Sequence, residues 1–254
     1  VDQSRPASTG VQIDRDVIRV LVSTSEGIAA SVDALLANDQ EIAASLVDGE
    51  DRVVALAWES ALGCASGARA GALPEPASEA RWSGIAVALL TDAAAANRQV
   101  AAIAAAARAG LGPALSPRER GLVQRLAELA GAAWQLLPDA YAERGRAGGT
   151  DAERAISDGL EAAWARVRLE LGRAPDAALD GFCQIARAYS VLAELGLGAA
   201  GRLRALGAAL DGERRAPTAP AAISWQPPPP TAALAEPVAE VATWEASEAP
   251  RRAG

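Results

Sequence analysis

An all-α protein made of two tandem three-helix bundles is the fold this sequence predicts, and three observations carry that expectation. Alanine, leucine, arginine and glutamate dominate, Phe182 is the only phenylalanine and β-branched residues are sparse, a composition that favours helices and offers little for a sheet. Apolar residues recur at helical steps through residues 11–110 and again through 117–211, three long stretches in each half. Finally, ALLANDQEIAASLVDGEDRV (34–53) and GGTDAERAISDGLEAAWARV (148–167) place Val47-Asp48-Gly49 and Ser157-Asp158-Gly159 at corresponding positions, as a shared turn. An internal repeat of this kind fixes architecture, because each unit must bury its apolar face against its neighbour.

Taken in order, residues 1–10 are polar and predict a disordered N-terminus. A first helix is expected over 11–37, with Ile18, Leu21, Ile28, Val32 and Leu35 on one stripe. Asn38-Asp39 breaks it, and Asp39 is the expected N-cap of a second helix carrying Ile42, Leu46, Val53 and Leu56. That helix should fray in the glycine-rich segment 63–76, where Pro74 and Pro76 reset the chain and Ser78 caps a third helix. Trp82, Ile85, Leu89, Ala96, Val100 and Ile103 give this third helix a near-heptad register and a central, packed role. The segment 109–117 divides the two halves, with Ser116 before Pro117 as an N-cap followed by proline. A fourth helix to about 143 carries Leu122, Leu126, Leu129, Ala133, Leu137 and Ala140. The fifth, capped by Thr150 or Asp151, carries Ile156, Leu160, Ala163, Val167 and Leu171. The sixth, from about 176 to 211, holds Phe182, Ile185, Tyr189, Leu192, Ala199, Leu203, Leu206 and Leu210. Residues 212–254 are rich in proline and alanine, with four prolines at 227–230 beside Trp225, and predict a disordered tail that a partner reads as polyproline II or that has no partner of its own.

Charge and residue usage narrow the chemistry. The net charge is −8, of which residues 212–254 contribute −1, so the globule is acidic and is not expected to bind nucleic acid or an anionic membrane. There is no histidine and no lysine. A Ser-His-Asp triad, a histidine metal ligand, a P-loop and a Schiff base are thereby excluded. Cys64 and Cys183, each among small residues of an expected helix, read as buried or half-buried free thiols. No stretch is expected to be apolar enough over about 18 residues for a membrane span, and the N-terminus lacks the pattern of a signal peptide, which makes a cytoplasmic protein the expectation.

Three segments resemble the PhoU family of phosphate-transport regulators, whose fold is two three-helix repeats. ALLANDQEIAASLVDGEDRV is similar to the family's passage from first to second helix, in which the second helix closes in an acidic turn. Ala77-Ser78-Glu79-Ala80-Arg81 resembles the start of the family's third helix, and IARAYSVLAELGLGAAGRL (185–203) resembles the closing helix of its second repeat. In the family that third helix carries a glutamate and an aspartate four residues apart, on one helix face, where two carboxylates can ligate a metal. The matching positions here are Ala94 and Arg98 in the first repeat and Ser190 and Glu194 in the second. The metal motifs are thus degenerate: no metal, cofactor or catalytic residue is expected, and Asp92 and Glu194 are the only weak metal candidates. The resemblance implies a non-catalytic cytoplasmic adaptor that restrains phosphate uptake and Pho-type two-component signalling by contacting a phosphate ABC transporter ATPase subunit and a sensor histidine kinase. A homodimer is compatible with it. The alternative is a structural, self-associating helical bundle without a phosphate-related role.

Gly196-Leu197-Gly198-Ala199-Ala200-Gly201 spells GxGxxG. A dinucleotide site would need a second strand and a ribose-binding acid further on, which the chain does not supply, so the glycines are expected to serve close helix packing or a kink. Trp58, Trp82, Trp134 and Trp164 are expected as core or interface anchors, and Glu50-Asp51-Arg52 as a solvated charged turn.

Overall fold

A computed structural model describes residues 10–70, 77–145, 150–172 and 176–215, and every regular element among them is a helix. The helices are α1 (Gly10–Ala37), α2 (Gln40–Ala70), α3 (Ala77–Arg108), the one-turn α4 (Leu111–Ala114), α5 (Pro117–Ala142), α6 (Thr150–Leu171) and α7 (Asp176–Arg215). Residues 1–9 and 216–254, including Trp225 and the prolines 227–230, lie outside the described residues, as does the side chain of Ser78, while 212–215 of the expected tail belong to α7.

Two helix starts follow the sequence chemistry closely. Asn38 takes the left-handed conformation (φ 57°) that asparagine tolerates, and the Asp39 carboxylate then accepts the backbone N–H groups of Glu41 and Ile42, each at 3.0 Å. At α5 the Ser116 hydroxyl accepts the Glu119 N–H at 3.3 Å while the Glu119 carboxylate accepts the Ser116 N–H at 2.7 Å, a reciprocal capping box ahead of Pro117.

Elsewhere the helices run further than expected. α2 continues through Gly63 and Gly67 to Ala70, and α7 reaches Arg215. The expected acidic turns are not turns: Asp48-Gly49, Glu50-Asp51-Arg52 and Asp158-Gly159 all sit inside helices. A mid-helix glycine costs only about 1 kcal/mol, which packing of the flanking apolar stripe overrides. Thr150 and Asp151, the expected caps, both lie within α6, and the residues just before them lie outside the described residues. α4 was not foreseen in the segment 109–117.

Packing runs through four helices. α1 lies against α2, α3 and α5, α3 against α7, and α5 against α7, while α2 flanks α1 with α3 and α6 flanks α5 and, less closely, α7. α1 corrects a second expectation, since Gln12–Ala37 is long and apolar enough to cross a membrane by length and composition, with a mean hydropathy of 1.4. In the fold its apolar stripe is internal: Val17, Val20, Leu21, Ile28, Ala34 and Leu35 are fully buried.

Buried polar groups fasten α1 to its neighbours. The Asn97 amide donates to the Thr24 hydroxyl and to the Ala93 carbonyl, both at 2.8 Å, tying α3 to α1. Ser31 donates to the Ile28 carbonyl and its oxygen lies 3.0 Å from the Tyr189 hydroxyl of α7. Between α5 and α7 the fully buried Trp134 indole donates to the Leu192 carbonyl at 2.8 Å. Each bond satisfies a group that would cost about 1–3 kcal/mol to bury unpaired.

Candidate functional site

The residues singled out by the metal-motif comparison fall into unlike environments. Ala94 is buried in the core, and Arg98 is exposed on α3, where its charge partly offsets the rise of the Glu50 carboxyl caused by burial and by neighbouring Asp51. Ser190 is buried and donates to the Ala186 carbonyl one turn back. Asp92 is engaged by the Arg202 guanidinium, which links α3 to α7 and whose charged form burial disfavours. Glu194 is exposed on α7 and lines an open groove against α6. Asp92 does not line that groove, and no group of three or more His, Cys, Asp or Glu is arranged to hold a metal ion among the described residues.

The groove has a volume of about 740 Å³, and its walls carry Asp158, Glu161, Trp164 and Arg168 from α6 and Glu194 from α7, over a floor that includes Leu160. It exists because α6 is seated chiefly on α5. Ile156, Leu160, Ala163 and Val167 face inward along α6, and Gly159 brings its backbone so close that a Cβ there would lie 2.9 Å from a Leu129 methyl.

A second polar group gathers where α1, α2, α3 and α5 meet. Tyr141, 2% exposed, donates to the Asp14 carboxylate at 2.7 Å, and its ring packs on Trp82 with centroids 4.8 Å apart. Arg144 lies 5.3 Å over the Trp82 ring and is held there by Glu79 at 3.1 Å. Trp82 Nε1 is buried without a hydrogen-bond partner among the described residues. Burial, and then the bond and charge of Asp14, push the Tyr141 hydroxyl far above its usual range. Burial and Asp14 push the Cys64 thiol up to about 11. Both groups are therefore held protonated near neutrality, so Cys64 is a poor nucleophile and Tyr141 a poor base. Cys64 and Cys183 are free, the first buried and the second half-buried.

The tryptophans divide. Trp134 and Trp82 are core residues, Trp164 is half-buried at the groove, and Trp58 is 46% exposed, which leaves it only the interface half of the expected core-or-interface role. Within the GxGxxG segment only Gly196 serves close packing, 2.9 Å from the Ala133 methyl for a Cβ placed there, whereas Gly198 and Gly201 would meet only arginine side chains of their own helix. The Asp14–Tyr141 pair was missed in the sequence, although Trp134, Leu137 and Tyr141 share one stripe of α5. No protein-family model matches the chain, and no curated protein matches it.

Proposed function

We propose that this protein is a non-catalytic adaptor of PhoU-like design, two tandem three-helix repeats working through protein contacts. In this reading it acts in the cytoplasm and restrains phosphate uptake and Pho-type two-component signalling, through a phosphate ABC transporter ATPase subunit and a sensor histidine kinase. The observation that carries the reading is the helix order with its packing. α1–α3 and α5–α7 each pack among themselves, and the two sets join like to like through α1 with α5 and α3 with α7. This is the layout that the resemblance of residues 34–53, 77–81 and 185–203 implies.

Contacts rather than metal are the working parts in this account, since Ala94, Arg98 and Ser190 replace three of the four family carboxylates and Asp92 is taken up by Arg202. Co-purification of the full chain with the transporter ATPase subunit, together with raised phosphate uptake in cells lacking the protein, is the expected result. Absence of both overturns the reading. Stoichiometric iron, zinc or magnesium in the purified protein, lost on Glu194→Ala, would overturn its metal-free part.

A second reading, a self-associating structural bundle, is favoured by one observation, the exposed Trp58 on the outer face of α2. It predicts a concentration-dependent oligomer in sedimentation that Trp58→Ser dissolves, and no interaction with the ATPase subunit.

A further inference from the structure

We infer that the α6–α7 groove is a docking surface for an arginine-bearing amphipathic helix of a partner protein, an inference that rests on the adaptor reading only for who supplies the helix. The crease is open in one half of the molecule and closed in the other. α2, with 31 residues, packs closely on α3 as well as on α1, whereas α6, with 22 residues, packs on α5 and meets the 40-residue α7 less closely.

The charge pattern along α6 says what suits the opening. Outside the groove its acids have arginine partners: Asp151 with Arg154, Glu153 with Arg204, and Glu170 with Arg118. Inside the groove Asp158 and Glu161, three residues apart on one face, have no ion-pair partner among the described residues, and neither does Glu194 on the opposite wall. Uncompensated carboxylates thus stand on both walls of a crease whose lining also holds Leu160 and the half-buried Trp164.

Such a crease suits a cation carried on an apolar scaffold. Arginine fits better than lysine, because a guanidinium can stack on the Trp164 ring while bonding a carboxylate through two N–H groups. An amphipathic helix supplies apolar anchors at steps of three and four for the floor and arginines at the flanks for the walls. Arg168, the single cation of the lining, marks the end of the groove that the partner's arginines avoid.

The test uses the full chain and a synthetic helical peptide of about 18 residues, some 27 Å long, with leucines on one stripe and arginines beside it. Fluorescence anisotropy of the labelled peptide should show saturable binding, weakened about tenfold or more by Glu161→Arg with Glu194→Arg and by Trp164→Ala. Glu59→Arg, on the exposed face of α2, should leave it unchanged. Unaltered circular dichroism keeps the variants comparable. Equal binding of a peptide with glutamates in place of arginines overturns the proposal, as does indifference to the groove substitutions. Binding that emerges only after removal of residues 216–254 makes the chain's own tail the occupant, and self-association abolished by the same charge reversals makes it a second copy; either result overturns the partner helix. Peptide binding without ATPase capture leaves the groove standing and removes the proposed partner. ATPase capture that ignores the groove variants does the reverse.

Discussion

α2 and α6 are long helices that each contain an Asp-Gly pair, and they are held in different ways. A Cβ on Gly49 would meet nothing within 4 Å, while one on Gly159 would press on Leu129. The glycine is spare in α2 and is a point of close approach in α6. The surroundings differ in charge as well, with thirteen acids against seven arginines in residues 11–110 and thirteen against twelve in 117–211. Similar sequence spacing therefore sets where a helix lies without setting what it leaves exposed. The first half uses its outer helix to close a surface and the second keeps a surface open.

That contrast can be broken most strongly where each half is closed by a glycine. A Cβ on Gly112 would overlap the Leu35 carbonyl, and one on Gly145, at φ 75°, would overlap the Leu203 carbonyl. Backbone atoms cannot step aside, so Gly112→Ala and Gly145→Ala should each lose about 3 kcal/mol or more in urea unfolding. A loss confined to one of them would show that only one half depends on its seam.

Tyr141→Phe comes next, because it removes the bond to Asp14 that joins α1 to α5; a loss of about 1–3 kcal/mol is expected at neutral pH. The pH profile sharpens the point. A thiol or phenol whose folded pKa lies above its unfolded value stabilises the fold below that unfolded value, and the contribution disappears as pH rises. Cys64, from 9.0 to about 11, and Tyr141 and Tyr189, raised from 10.0, should therefore make stability fall as pH climbs beyond about 9. Tyr141→Phe should flatten that fall in a denaturation series from pH 8 to 11, and an unchanged slope would remove Tyr141 from the account.

A smaller pair of substitutions tests α2 against α6 directly. Gly49→Ala should stabilise by about 0.5–1 kcal/mol through helix propensity, whereas Gly159→Ala should gain less or lose up to about 1 kcal/mol as Leu129 is displaced. Matching gains at both sites would erase the distinction drawn between the helices. Smallest is the coupling of Asp92 with Arg202, for which a double-mutant cycle to alanine should give about 0.5–1 kcal/mol for a partly exposed pair.

Much of the fold was legible in the sequence because its signals are local. Asn38-Asp39 and Ser116-Pro117 ended and started helices through their own side chains, and the stripe from Leu122 to Leu137 placed the inner face of α5. The misreadings share one cause. Asp48-Gly49 and the glycines at 63 and 67 look like helix breakers in isolation, but the apolar residues around them are bound into long helices by neighbours that the sequence does not reveal. The groove was less legible still. Glu194 was visible as a leftover acid, but its company with Asp158, Glu161 and Trp164 arises from how α6 leans on α5, and pairing partners such as Arg204 for Glu153 lie 51 residues away.

The central seat of α1 also has a consequence for biosynthesis. Its stripe is covered partly by α2 and α3 and partly by α5, so a nascent chain that has only just completed α3 still presents a greasy first helix whose remaining cover has not been made. Until Ala142 leaves the ribosome, the segment Gln12–Ala37 therefore leaves open to chaperones and membrane-insertion machinery the part of its apolar face that α5 covers in the finished protein.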